Sequence, residues 1–345
     1  DITSGIFLKE FLLRVLNFVS IILFFLGVIN FDVFVLLYVL SYLVPVAGLF
    51  FLLLKRGELS INLKGLKLTP KMKREIIMVA AFGILAGFSG VISDYLDKFL
   101  VNKYLGLSDT GIYTIAFYIG TMILLPSRAL NKISSTLIAE SWKDNDLKTI
   151  NDIYTKSSIN QFVFGLFLFT LLMANLHNVF AFLPPEYANG KWVMIIIGLT
   201  NLIIMLSGVS YSIISTSKYY WYMSALMGIQ IIMIVATNII LIPRLGIIGS
   251  AIASLISVSV IRFGSMIIIG LKSKLWPLSL QHLKAITIAV LLILCNTFVP
   301  IVNNIYVDLI VRSRVYSILF FVLIYYFGIY NNLLEKISHF WTKEK

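Results

Sequence analysis

Two arginines lie inside long apolar stretches, where a charged side chain is costly. Arg128 follows the stretch LLPS, and Arg262 follows SVSVI. A guanidinium group stays charged and donates parallel hydrogen bonds to two oxygens of a phosphate or carboxylate. If both side chains face a water-filled cavity, they predict an anion-binding site. The alternative is that each long side chain extends to the edge of the apolar layer and keeps its charge in water.

Other polar residues in the apolar stretches are weaker candidates for the same cavity. Lys132 lies one helical turn beyond Arg128, on the same face but closer to the edge of the layer. Amide side chains also bond to one another simply to hold a helix bundle together, which is the alternative for each of them. The amides included in the candidate site are Asn160, Gln161, Asn201 and Asn238.

The elements that must position these residues are membrane-spanning helices. Hydrophobic residues make up 59% of the 345 and charged residues 13%, against about 25% charged in soluble domains. The mean hydropathy is +0.94. Apolar runs of about 18 residues or more are long enough to cross a bilayer as helices. The sequence therefore predicts an all-α polytopic membrane protein with about ten spans, at 7–29, 32–54, 76–101, 111–138, 157–182, 192–216, 219–242, 247–271, 283–302 and 312–332.

The net charge of +12 is interpreted as a signal for the orientation of the helices in the membrane rather than for nucleic-acid binding. Basic residues collect beside membrane helices on the cytoplasmic side. Seven of them lie in the connection 55–75, which is therefore expected in the cytoplasm, together with the second long connection, 139–156. Alternation from there places both ends of the chain inside. We expect the inner membrane of a bacterium, with membrane lipids as neighbours and no nucleic-acid partner.

The sequence predicts neither an enzyme nor a bound cofactor or metal. Cys295 is the only cysteine, and the three histidines are scattered without metal-ligand spacing. The phosphate-binding loop G-x-x-x-x-G-K-[ST] does not occur. The zinc-protease motif H-E-x-x-H and the hydrolase motif G-x-S-x-G do not occur either. Because the sequence begins at Asp1 rather than Met, we also expect it to be part of a longer protein.

Three ordered motifs resemble one family of transporters. The first runs from Leu96-Asp97-Lys98 through Leu105-Gly106 to Gly111-Ile112-Tyr113. The second is STLIAESWKDNDLKTINDIYTKSS at 135–158. The third is NIILIPRLGIIGSAIASLIS at 238–257, which contains Pro243, Gly246 and Gly249. Together they resemble the flippases that export lipid-linked oligosaccharides for polysaccharide synthesis, in the superfamily that also contains the multidrug and toxin extrusion transporters.

The resemblance implies a two-lobed fold of up to fourteen helices around a central cavity. Residues 1–54 would then be the last two helices of the N-terminal lobe, and 55–75 a basic cytoplasmic linker. Residues 76–275 would form the six-helix C-terminal lobe, and 280–335 two accessory helices. Four N-terminal helices of the family would lie outside this sequence.

The function implied is translocation of a polyprenyl-pyrophosphate-linked oligosaccharide, such as an O-antigen or capsule repeat unit, by alternating access. Arg128 and Arg262 would hold the pyrophosphate. The partners implied are this substrate and polysaccharide polymerase or assembly proteins. Two alternatives stay open: a cation-coupled multidrug exporter of the same fold, and a membrane-embedded polysaccharide polymerase or ligase. The exporter should carry a carboxylate deep in its cavity, whereas the sequence places Asp94 and Asp97 near the end of a span.

Overall fold

The computed structural model describes residues 11–55, 69–70, 72–73, 76–77 and 95–329. Within these ranges the regular structure is helical, and no strand occurs. The chain divides into two compact units, Asp1–Glu75 and Ile76–Lys345. Most of the predicted linker 55–75, the start of the predicted helix 76–101 and Asp94 lie outside the described residues.

Over residues 11–55 the first unit contains three apolar helices, namely α1 (Leu13–Phe25), α2 (Phe31–Ser41) and α3 (Leu43–Lys55). The side chain of Asn30 caps α2 by accepting a hydrogen bond from the backbone N–H of Val33 at 3.0 Å. A one-residue turn at Tyr42, which keeps helical backbone angles, separates α2 from α3 within the span predicted at 32–54.

The second unit is a larger helical bundle. Its first helix, α4, is described over 95–105. The others are α5 (Leu107–Thr121), α6 (Leu125–Lys143), α7 (Leu147–Ala174), α8 (Leu176–Ala181), α9 (Lys191–Leu206), α10 (Ser210–Ser215), α11 (Tyr220–Leu245), α12 (Ile247–Ser273), α13 (Leu280–Cys295) and α14 (Ile305–Tyr326). Short 3₁₀ turns lie at Met122–Leu124, Pro185–Gly190 and Asn296–Phe298.

Several predicted boundaries are wrong in this unit. The predicted span 111–138 is broken into α5 and α6 by the turn Met122–Leu124, and 192–216 is broken into α9 and α10. The predicted connection 139–156 is far shorter, because α6 continues to Lys143 and α7 already begins at Leu147. Asp146 starts α7 by accepting a hydrogen bond from the backbone N–H of Thr149 at 3.0 Å.

The described helices include seven segments that are long and apolar enough to cross a bilayer. Many of their large apolar side chains are exposed, among them Leu271 at 76% and Ile232 at 69%. Such surfaces suit lipid rather than water. The seven segments are Phe31–Gly48, Leu107–Arg128, Leu147–Ala174, Pro185–Leu206, Tyr220–Leu245, Ile247–Ser273 and Leu280–Phe298.

Three apolar clusters hold the second unit together. One joins α7, α9, α13 and α14 around Phe169 and Phe320. A second joins α4, α5, α9 and α12 around Tyr113. The third joins α6, α7, α10, α11 and α12 around Tyr154 and Ile213. Between the second and third clusters, helices α4, α5, α9, α11 and α12 leave an open space with polar residues on its walls.

Candidate functional site

A cavity of about 450 Å³ lies within the second unit. Its volume falls in the range typical of small-molecule pockets. Its walls come from α4, α5, the beginning of α6, α9, α10, α11 and α12. The polar and aromatic lining residues are Tyr95, Asp97, Lys98, Phe117, Tyr118, Thr121, Arg128, Thr200, Asn201, Tyr211, Gln230, Ser254 and Arg262.

The cavity contains both of the arginines that the sequence singled out. Arg128 lies in the first turn of α6, just after the 3₁₀ turn and Pro126, and it is exposed. Arg262 lies midway along α12 and is half-buried. Neither makes a salt bridge with any carboxylate in the described residues. The two guanidinium groups therefore retain donors for an anion that enters the cavity.

A third cation, Lys98, is held among aromatic rings on the same cavity wall. Its Nζ lies 4.6 Å from the ring centroids of both Phe117 and Tyr118, and 5.1 Å from that of Tyr95. A ring face attracts a cation at such distances. With Lys98, Arg128 and Arg262 facing one lining carboxylate, Asp97, the cavity is formally positive.

Asp97 is the centre of a buried hydrogen-bond cluster. Its side chain is 1% exposed. It accepts hydrogen bonds from Tyr113 Oη at 3.2 Å, from Asn238 Nδ2 at 2.8 Å and from Ser254 Oγ. No ion pair joins Asp97 to Lys98 among the described contacts. Asp97 instead points between α5, α11 and α12.

Two oxygens near this cluster have no hydrogen-bond partner. They are Asn238 Oδ1 and Ser250 Oγ, both fully buried. A buried polar atom without a partner is costly unless something else satisfies it. Asn238 lies on α11 and Ser250 on α12, the two helices that bring Asn238 and Ser254 to Asp97. Ser250 and Ser254 were not among the predicted site residues.

The carboxylate and Arg262 lie at different levels of the cavity. Ser254, which contacts Asp97, and Arg262 are eight residues apart on the same helix. At 1.5 Å per residue this separation is about 12 Å along α12. Arg262 is therefore about two helical turns away from the carboxylate along α12, whereas Lys98 is the residue next to Asp97.

The remaining predicted amides and Lys132 have mixed placements. Asn201 lines the cavity and donates from Nδ2 to the backbone oxygen of Gly120 at 3.1 Å. Gln161 is buried outside the cavity, where its Nε2 donates to Asn131 Oδ1 at 2.9 Å. Lys132 is exposed and Asn160 is half-buried, and neither lines the cavity. These three belong to the bundle surface or to helix packing in this structure.

The motif residues outside the cavity shape its supporting helices. Gly106 is the N-cap of α5 with φ of +91°, and Gly111 follows within that helix. Pro243 lies inside α11, which continues to Leu245, whereas the predicted span 219–242 ended just before this proline. The turn is at Gly246, whose φ of +60° disfavours residues with a Cβ atom. A Cβ on Gly249 would lie 2.3 Å from the backbone oxygen of Leu241, so this position requires glycine for close packing of α11 and α12.

A second buried charge cluster joins α8 to α14. Asp308 is 1% exposed and accepts hydrogen bonds from His177 Nε2, Asn178 Nδ2 and Arg312 Nε at 2.7–2.8 Å. Arg312 is 3% exposed and also donates to Asn296 and to the backbone oxygens at 299 and 300. The sequence did not predict the partners of Arg312 outside α14, because no local pattern reveals a contact with another helix or turn.

No group of three or more His, Cys, Asp or Glu side chains with metal-site geometry occurs among the described residues. The chemistry available in the main cavity is therefore binding of an anion by arginines and binding of a cation or proton near Asp97.

Comparison with known proteins supports the architecture. No family model matches the sequence, and no curated protein matches it significantly. A solved structure, described as the outward-facing conformation of a multidrug resistance MATE family transporter of the MOP superfamily, is similar at a TM-score of 0.50 and 15% identity. The similarity shows the fold. It covers 64% of this chain and 52% of the transporter, so the chain spans about half the length of that protein.

Proposed function

We propose that the chain belongs to a transporter that moves a polyprenyl-pyrophosphate-linked oligosaccharide across the bacterial inner membrane. The observation that carries the proposal is the position of Arg128 and Arg262, which come from different helices to one cavity and have no carboxylate partner there. A pyrophosphate offers several oxygens that two guanidinium groups can bind at once. The similarity in fold to a multidrug transporter supports transport in general, and the three sequence motifs favour the oligosaccharide substrate.

The substrate must keep its polar head in water while its lipid tail stays in hydrocarbon. A positively charged cavity inside a bundle with apolar outer faces suits such a molecule. Alternating access would move the head group from one side of the membrane to the other, as in other two-lobed transporters. Polysaccharide polymerase or assembly proteins would then act on the exported unit.

The arginine hypothesis is tested by substitution in bacteria that depend on this transporter for surface polysaccharide. Arg128→Gln and Arg262→Gln should each reduce export about 10-fold to 100-fold, since a hydrogen bond to a charged group contributes about 1.5–3 kcal/mol. Arg244→Gln is the matched control, because Arg244 is exposed at the end of α11 and does not line the cavity. Export unchanged from the control, at equal membrane levels, would reject the arginine hypothesis.

A second candidate function is cation-coupled drug export, favoured by the buried carboxylate of Asp97. The sequence counted against this alternative because Asp97 was placed near an edge, whereas the structure places it on the cavity wall. In the same cells, Asp97→Asn should then remove tolerance to toxic cations and leave surface polysaccharide intact. Loss of polysaccharide with unchanged drug tolerance would contradict drug export.

A polymerase or ligase receives no support from the described residues. Such an enzyme needs a sizeable loop outside the membrane to hold its reacting groups. Between 95 and 329 the helices are joined by short connections such as Lys274–Ser279. We therefore favour transport over group transfer.

A further inference from the structure

A second cavity, also about 450 Å³, lies at one end of the bundle. It is bounded by the end of α7, by α8, by the beginning of α9 and by the end of α13. It shares no lining residue with the arginine cavity. One part of its wall is apolar and comes from Met173, Leu176, Phe180 and Ile293.

The other part of the wall is polar and lies where helices end. Lys191 is the first residue of α9, and Asn296 and Thr297 form the 3₁₀ turn that follows α13. Ile293 lies in α13, three residues before Asn296, and is therefore about 4.5 Å further into the bundle. The cavity is therefore polar at its mouth and apolar deeper inside.

Exposed aromatic side chains surround this end of the bundle. Trp192, next to Lys191, is 57% exposed. Phe182 and Tyr306 are also exposed, and their ring centroids lie 5.6 Å apart. Such side chains are enriched where a membrane protein crosses the lipid headgroup region. The mouth of the cavity is thus expected at headgroup level, and its apolar part at the level of the acyl chains.

The charges at the mouth favour an anion. Lys191 is exposed and makes no ion pair with a described residue, and the N-terminal end of α9 adds a partial positive charge. No carboxylate lines the cavity. His177, which lines the cavity, and Arg312 hold Asp308 in the buried cluster, and Glu186 lies exposed in the 3₁₀ turn that also carries the lining residue Ala188.

We propose that this cavity binds an anionic phospholipid, with its phosphate at Lys191, Asn296 and Thr297 and one acyl chain along Leu176 and Ile293. A free anion would leave the apolar wall uncovered, and a zwitterionic lipid such as phosphatidylcholine would bring its own cationic group close to Lys191. The lipid would bridge α9 and α13, and so tie the last two helices to the rest of the bundle. This site is independent of the proposed transport substrate.

The test uses the full-length protein in detergent and counts bound lipids by native mass spectrometry. Palmitoyl-oleoyl phosphatidylglycerol should bind more tightly than the phosphatidylcholine with the same chains. Lys191→Gln should weaken the phosphatidylglycerol complex about fivefold, since one basic side chain near an anionic lipid contributes about that factor. Ile293→Trp should reduce binding of both lipids by filling the apolar part.

Lys103→Gln is the matched control, because Lys103 is an exposed lysine of α4 that does not line the cavity. Equal binding of the two lipids, or equal effects of Lys191→Gln and Lys103→Gln, would overturn the proposal. Inorganic phosphate is the third arm of the test. If millimolar phosphate displaces the lipid completely, the site is one for a free anion and the lipid assignment is wrong.

Discussion

Replacing Arg312 with methionine tests how strongly the buried cluster holds the last helix. The substitution keeps an unbranched side chain of similar length but removes the charge. It would leave Asp308, which is 1% exposed, without the Nε donor that now lies 2.7 Å away. It would also leave Asn296 and two backbone carbonyls without their guanidinium partners.

The expected cost is large because the buried Asp308 would lose its guanidinium partner and keep only His177, Asn178 and the backbone N–H of Val302. Breaking a buried ion pair from one side typically costs about 3–5 kcal/mol. For domains of this size each kcal/mol corresponds to about 2–4 °C in the unfolding midpoint. We therefore expect the midpoint of the Arg312→Met protein to fall by about 10 °C.

Thermal unfolding in a fixed detergent, followed by circular dichroism, measures this shift. Arg314→Met is the control, because Arg314 lies on the same helix but is exposed, and it should change stability by less than about 0.5 kcal/mol. The double variant with Asp308→Asn should cost less than the sum of the single changes, since the two residues interact directly. If Arg312→Met unfolds at the same temperature as Arg314→Met, the cluster does not stabilise the protein as argued.

Two further predictions concern local structure and are checked by unfolding measurements in the same detergent. Gly249→Ala should destabilise the α11–α12 junction by about 1–3 kcal/mol, because the added Cβ would contact the Leu241 backbone. Gly111→Ala should stabilise α5 by about 0.5–1 kcal/mol, since nothing lies within 4 Å of the added atom. Equal unfolding midpoints for the two variants would refute the packing argument. Hydrogen bonds from Thr149 lower the pKa of Asp146 below its ordinary value, so this cap stabilises α7 above that ordinary value and the stabilisation is lost as the pH falls through the lowered pKa. The difference in midpoint between the wild type and Asp146→Ala should accordingly be largest near neutral pH and shrink in acid, and a difference independent of pH would contradict the cap.

The sequence predicted the arginine cavity better than the carboxylate cluster. Arg128 and Arg262 stand out because each interrupts an apolar run, and a charge in such a place has few explanations. The partners of Asp97 could not be found in the same way. Asn238 and Ser254 lie 141 and 157 residues further along the chain, and only the packing of α11 and α12 brings them to the carboxylate.

The sequence predicted that the chain is helical, but it did not predict where helices break within apolar runs. Hydrophobicity alone cannot reveal the turn at Met122–Leu124, because all three residues are as apolar as the helices on either side. The opposite error occurred at the start of α7, where charged residues suggested a loop. The side chain of Asp146 provides a cap, and the polar residues that follow form the exposed side of a helix whose other side packs Ile150 and Tyr154 into the bundle.

Helix α12 carries both Ser254 and Arg262 in one uninterrupted rod. If an anion binds at Arg262 and a cation binds at Asp97, a shift of α12 that changes one site would also change the other. The two effects on affinity are then equal: if a bound cation changes the affinity for the anion by some factor, the bound anion changes the affinity for the cation by the same factor. Mechanical continuity along a single element would thus be enough to make two ligands of opposite sign sense each other, without a relay of intervening side chains.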